Sequence, residues 1–235
     1  MIIDDFLVLG RACPDRMRDG RFTVCCGGHS ERLGFVRIYP TPPHAEKKLQ
    51  RWNLVSVEVE RDARDKREES WKIAGAKSDW RNTAKGIEVL DVLSREERLR
   101  FINGVEKTTI EKLKESGKTL GIVEPRGIEA HIRKFPAESP QTDLLGRTVL
   151  SKRNFPHRLY LKYFCAPKCT ERGHDHQLLE WGVYEFWRKN PQAPAEKVAE
   201  NLRLQDREYG KFFFVGNQAF HPNNFMVISV LRHKV

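Results

Sequence analysis

Leu54-Val55-Ser56-Val57-Glu58-Val59-Glu60 sets three valines among alternating polar groups. A period of two puts those valines on one face, the pattern of a half-buried strand. The same reading extends upstream. Asp5 to Gly10 and Phe22 to Cys26 are short apolar runs, the second closed by Gly27-Gly28. Leu33 to Tyr39 is a third, stopped at Pro40 with Pro42-Pro43 behind it. Downstream the pattern ends near Trp71-Lys72-Ile73. Short strands with Gly and Pro punctuation predict a small β-barrel-like domain over residues 1–75.

The period then changes. Ser94 before Arg95-Glu96-Glu97 is a capping box, and Leu99, Ile102 and Val105 follow at helical spacing. Thr108-Thr109-Ile110-Glu111 repeats the pattern before Leu113, and Gly117 stops it. Leu120 to Pro125 reads as a strand. Pro136, Pro140 and Gly146 among polar groups mark residues 135–147 as a linker, so 76–146 is expected to be a helical middle segment. The remainder, 147–235, reads as an α+β domain. Arg158 to Phe164 is a strand, and His176 to Lys189 a helix with Leu178, Leu179, Val183 and Phe186 inward. Pro194 opens a second helix, and Lys211 to Gly216 pairs with Phe225 to Leu231. The fold class expected for the whole chain is therefore α+β.

Composition bounds the rest. The chain has 235 residues, 39% of them hydrophobic and 31% charged, which excludes a disordered chain, a collagen and a coiled coil. No apolar run reaches the ~18 residues of a membrane span. Met1-Ile2-Ile3-Asp4-Asp5 has neither the basic start nor the apolar stretch of a secretory signal. Five cysteines with one adjacent pair are a poor disulfide framework, so a reducing, cytoplasmic setting is expected. The net charge of +10 points to a polyanionic partner, nucleic acid first. The plainer reading of the charge is solubility alone.

Cys165, Cys169, His174 and His176 fall in a C-x3-C-x4-H-x-H pattern. Two thiolates and two imidazoles form a tetrahedral zinc set, which predicts a zinc knuckle. Four ligands in so short a loop are geometrically tight. An alternative keeps Cys165, Cys169 and His174, with the fourth ligand from elsewhere or from water. Ordinary buried thiols are the competing reading. Cys25, Cys26 and His29 are read as packing residues.

Residues 147–172 carry Arg147, Lys152, Arg153, Arg158, Lys162, Lys168 and Arg172 against Glu171 alone. On the 158–164 strand, Arg158, Tyr160, Lys162 and Phe164 share one face. Cations facing phosphates and rings facing bases are how single strands are held. Phe35, Arg37 and Tyr39 form a similar stripe in the first third. The candidate nucleic-acid contacts are therefore Arg37, Tyr39, Arg153, Arg158, Tyr160, Lys162, Phe164 and Lys168. Asp62 to Lys72 alternates in sign and reads as a solvated edge.

Val36-Arg37-Ile38-Tyr39-Pro40, then Arg67-Glu68-Glu69-Ser70-Trp71, then Tyr163-Phe164-Cys165 with Cys169, Gly173-His174 and Glu180-Trp181 are scattered patches with a shared look. They resemble a group of uncharacterised prokaryotic proteins that pair an R-[LI]-Y-P segment with a late C-x(3)-C, G-H and [DE]-W cluster. The resemblance includes Phe213-Phe214-Val215-Gly216 and Phe225-Met226-Val227-Ile228. It implies one architecture for these patches and a setting among accessory and mobile-element genes, hence a DNA-handling or defence role. His176 departs from the group's pattern.

The chain carries no P-loop, dinucleotide fingerprint, nucleophile elbow or H-E-x-x-H motif. The expected function is nucleic-acid binding with structural zinc, within an assembly that includes other protein subunits. The alternatives are a metal-dependent nuclease using His174, Glu180 and His221, and a protein–protein adaptor.

Overall fold

The structure is a computed structural model that describes residues 1–17, 19–75, 80, 82–142, 148–166, 169 and 172–234. In chain order its strands are β1 (Ile2–Arg11), β2 (Asp15–Arg16), β3 (Phe22–Ser30), β4 (Gly34–Thr41), β5 (Asn53–Glu60), β6 (Ser70–Ile73) and β7 (Ile87–Val92). After α1 (Arg95–Gly104) come β8 (Lys107–Thr108), α2 (Ile110–Glu115), β9 (Leu120–Val123), β10 (Pro125–Lys134), β11 (Gln141–Thr142) and β12 (Thr148–Val149). Then follow β13 (His157–Cys165), β14 (His174–Gln177), α3 (Trp181–Lys189), α4 (Ala195–Asn201), β15 (Tyr209–Gln218) and β16 (His221–Lys234). The protein is mostly β. The middle of the chain, expected to be helical, holds two short helices among strands.

The chain forms two compact units: residues 1–103 with 139–154, and residues 104–138 with 155–235. This differs from the three-way division expected from composition. The helix of 95–104 goes with the strands before it. The supposed linker supplies both the end of β10's unit and a return into the first unit.

In the first unit β1-β3-β4-β6-β5 run in order, and β5 pairs back onto β1, closing a five-stranded barrel. The alternation of Leu54 to Glu60 is the reason β5 can sit at this closure. Val55, Val57 and Val59 are buried together with Ile3, Phe6, Val8, Cys26, Val36, Ile38 and Ile73. β6 closes the ring by pairing parallel with β4 and antiparallel with β5. β7 takes the remaining length of β5, from Asn53 to Val57.

In the second unit β10-β13-β14 form one sheet and β16-β15-β9-β8 another. Leu159, Leu161 and Tyr163, at alternate positions of β13, are buried, and the Tyr163 ring meets Phe213 of β15 edge-on at 4.9 Å. Such burial is worth roughly 1.5–3 kcal/mol per side chain. The expected helix from His176 begins only at Trp181. Leu161 and Lys162 of β13 pair with His176 and Asp175, so this segment is a strand, and Leu178 and Leu179 are buried ahead of the helix. The expected pairing of the last two strands is present, with Phe213 opposite Val230. No helix among the described residues is long and apolar enough to cross a membrane.

Candidate metal centre and basic sheet face

β13 ends at Cys165, the chain turns, and β14 starts at His174. Antiparallel pairing places His174 opposite Tyr163. That register brings the two ends of the connection together. Ligand atoms of Cys165, Cys169 and His174 all lie within 4.8 Å of one another. The Cys165 amide donates to Cys169 Sγ at 3.1 Å, fixing the second thiol over the first. Cys165 is 2% exposed. Burial pushes its thiol up to about 12, opposed by the Ile110 amide, which donates to the sulfur; Cys169 and Glu111 add to the rise. A cation beside the two sulfurs would favour their thiolate forms. Burial also holds the His174 imidazole below its ordinary value, leaving it neutral and able to ligate. Two sulfurs and one imidazole are a donor set that fits zinc. None of the five cysteines is in a disulfide.

His176 is not in this cluster. Its Nδ1 is 3.0 Å from the Tyr163 hydroxyl, and burial holds the ring down to about 4. This corrects the four-ligand C-x3-C-x4-H-x-H expectation. His174 and His176 do share one strand face, with rings stacked at 5.3 Å, but Tyr163 anchors the second ring. Glu111 of α2 places a carboxylate oxygen 3.3 Å from His174 Nε2.

The other face of the sheet carries the basic row. Phe164 is 44% exposed, Lys162 is exposed, and Arg158 and Tyr160 are half-buried. Across the register, Arg126 stands opposite Phe164, Glu129 opposite Lys162, His131 opposite Tyr160 and Arg133 opposite Arg158. Directly opposed residues share a face. Ile128, Ala130 and Ile132 alternate with those polar groups, a signal for β10 that the sequence reading passed over. The Tyr160 ring is already engaged: His131 stacks on it, and the Arg133 guanidinium lies 4.0 Å from its centroid. Arg133 also pairs with Asp175 at 2.5 Å. Arg158 lies over Phe135 at 3.8 Å. Phe164 is the ring left facing outward. A Cβ on Gly173 would meet the Phe164 ring at 3.0 Å, so the ring rests on the backbone immediately before His174.

The remaining candidates are placed differently. Arg37 is only 2% exposed, with its guanidinium 3.2 Å from the Ser70 hydroxyl, so the expected open stripe of Phe35, Arg37 and Tyr39 is not formed. Position 37 lies under the closure of the barrel, and Tyr39 alone of Arg37 and Tyr39 reaches solvent, at 38% exposure. Arg153 lies 3.7 Å from Asp15, which also takes Lys152 at 2.6 Å. Lys168, Arg147 and Glu171 lie outside the described residues. Within 62–72, Asp62 pairs with Arg64 and Asp65 with Arg67, and Arg61 stacks on Trp71 at 3.5 Å. The nuclease constellation is not assembled among the described residues. Glu180 accepts the Val230 amide at 2.8 Å, and His221 is exposed at the turn of the last hairpin.

A barrel, further antiparallel sheets and a Cys-Cys-His cluster define a mostly β protein with one candidate metal site among the described residues. Residues 106–234 match the model of a domain of unknown function, DUF8757, and the chain belongs to that family. Residues 3–103 match a second domain of unknown function, DUF8758. No curated protein matches the chain. Among solved structures, a murine DNA-binding protein bound with double-stranded DNA is similar at 11% identity and a TM-score of 0.30, covering 99% of this chain and 96% of its own. Likeness at that level carries no argument about either fold or ligand.

Proposed function

We propose that the protein binds nucleic acid on the outer face of β10-β13-β14, as an accessory subunit of a DNA- or RNA-handling or defence complex. The observation that carries this is the row Arg158, Tyr160, Lys162, Phe164, flanked by Arg126 and Arg133 on the neighbouring strand. Lys162, Arg126 and Arg158 meet phosphates. Phe164 stacks on a base, and Tyr160, clamped between His131 and Arg133, shapes the floor beside it. Zinc held by Cys165, Cys169 and His174 is structural. It ties the connection between β13 and β14, and through Gly173 it keeps the Phe164 ring at its angle.

Fluorescence anisotropy of labelled single-stranded DNA, duplex DNA and RNA, at several salt concentrations, tests the proposal. Micromolar or tighter binding that weakens with salt is expected. Lys162→Ala and Arg158→Ala should each reduce the salt slope by about 1, because one fewer counterion is released. Phe164→Ala should cost about 1–3 kcal/mol without changing the slope, the signature of a stacked base rather than a phosphate. Absence of binding to all three polymers would remove the proposal and leave the adaptor reading.

A further inference from the structure

The last hairpin reverses at residues that turn chemistry does not ask for. Gln218 pairs with His221, so Ala219 and Phe220 make the reversal. Two-residue turns favour Asn and Gly. Here the second place is Phe220, which at 90% is more exposed than every other large apolar side chain among the described residues. Ala219 to Asn224 are all exposed, so the tip projects. It is also shaped. Asn217 pairs with Phe225 while Gln218 pairs with His221, so Pro222, Asn223 and Asn224 bulge from β16. The buried Asn217 side chain donates to the Pro222 carbonyl at 2.8 Å and pins that bulge. Bulges re-aim the residues beside them.

Charge of one sign marks this hairpin. From Tyr209 to Val235 the sequence has no Asp or Glu, while Lys211, Arg232 and Lys234 stand at the end away from the tip. At the tip the Asn217 amide donates to the Thr119 carbonyl at 3.1 Å. That bond brings the 116–119 loop alongside, and its one charge is the exposed Lys118. Gln218, His221, Asn223 and Asn224 add hydrogen-bonding groups. A ring lying on a sheet, such as Phe164, offers a base one face. A ring as exposed as Phe220 offers both, so it fits between two bases. A two-stranded ribbon is narrow enough for a groove of duplex DNA, and apolar wedges kink a duplex by entering a base step. We propose that the β15–β16 hairpin enters duplex DNA and inserts Phe220 between two base pairs, with Lys118 at the phosphate beside the opened step. This rests on the nucleic-acid reading and narrows it to a duplex with one step unstacked. Opening a step is easiest at a mismatch, so the protein prefers mismatched to matched duplex.

The test uses the full chain and a matched duplex carrying 2-aminopurine, a base whose fluorescence is quenched by stacking. Saturating wild-type protein should raise its emission. By anisotropy, wild type should bind a duplex with one mismatch about tenfold more tightly than the matched one. Phe220→Ala should lose the rise and most of the preference. It should still bind matched duplex with unchanged salt dependence, since the cations remain. Its urea midpoint should equal that of wild type, because a side chain so exposed supports no packing. Phe220→Trp, which keeps an aromatic plane, should restore both the rise and the preference. Lys118→Ala should reduce the salt slope by about 1. Wild-type protein that binds duplex without raising the emission, a rise that survives in Phe220→Ala, equal affinity for matched and mismatched duplex, or binding confined to single strands each overturns the wedge and leaves the sheet-face reading standing. No binding to any nucleic acid overturns both.

Discussion

A methyl group on Gly28 would stand 2.2 Å from the Leu7 carbonyl oxygen and 2.5 Å from the Phe6 ring. Neither neighbour can move, since one is backbone and the other is fully buried in the barrel. Gly28→Ala should therefore cost about 3 kcal/mol, measured as a lowered urea midpoint. At Gly173, with φ +64, a methyl group would stand 2.9 Å from the Tyr163 carbonyl oxygen, so position 173 has the same intolerance. His29 is held by burial below its ordinary value of 6.5, with Asp5 and Glu31 acting against that. Its ring packs edge-on against Phe35 and Phe101. The folded state prefers the neutral ring, so this contribution is present above about 6.5 and is lost as the pH falls below it. His29→Phe should flatten the fall in stability between about pH 7 and pH 5, read by denaturant titration. At this scale the sequence misled most at Arg37. Residue type and strand phase put a cation on an outward stripe, but the curl of a closed barrel makes one strand's faces unequal along its length. Cys165, Cys169 and His174 were legible because all three lie within one turn. The Glu111 carboxylate beside His174 was not legible, because only the fold brings α2 to that turn.

The start of α1 rests on a reciprocal cap, in which the Ser94 amide donates to Glu97 Oε2 at 2.7 Å and the Glu97 amide donates to the Ser94 hydroxyl at 3.3 Å. Only Ile102 of this helix is buried, so little packing stands behind the cap. Ser94→Ala should destabilise the helix by about 1 kcal/mol, seen as faster amide exchange across residues 95–104. Caps of this kind are local, and the first was readable; the second lies one residue later than its capping-box pattern placed it, where Thr109 accepts the Lys112 amide at 3.2 Å. Strands with clean alternation were readable too, β5 and β13 above all. The failures were elements whose identity depends on a partner. His174-Asp175-His176-Gln177 could continue a helix by its own preferences, and becomes β14 because the inner and outer faces of β13 accept it.

The net charge is +10, but several of the 42 Lys and Arg side chains that contribute to it have internal partners. Arg64, Arg67, Arg133 and Lys152 are each paired with an aspartate. Net charge in a sequence sums both signs without regard to position, so it points to a class of partner and not to a surface. The two family matches meet between residues 103 and 106, where the first compact unit gives way to the second. They do not reveal that residues 139–154 return to the first unit. That return is held by the Lys152 amide, which donates to the Pro14 carbonyl at 3.0 Å, and by Asp15.

The chain thus passes from one unit to the other three times. On the ribosome, the first unit must wait for its final piece until residues 104–138 of its neighbour have been made. Those 35 residues cannot complete their own sheets at that moment, because β13 to β16 are still to come. A fragment ending at Asn103 should consequently be less resistant to protease than the same residues supplied with a 139–154 peptide. Synthesis from the amino end leaves both halves unfinished together, and they are completed in turn: the barrel first, the metal turn after it.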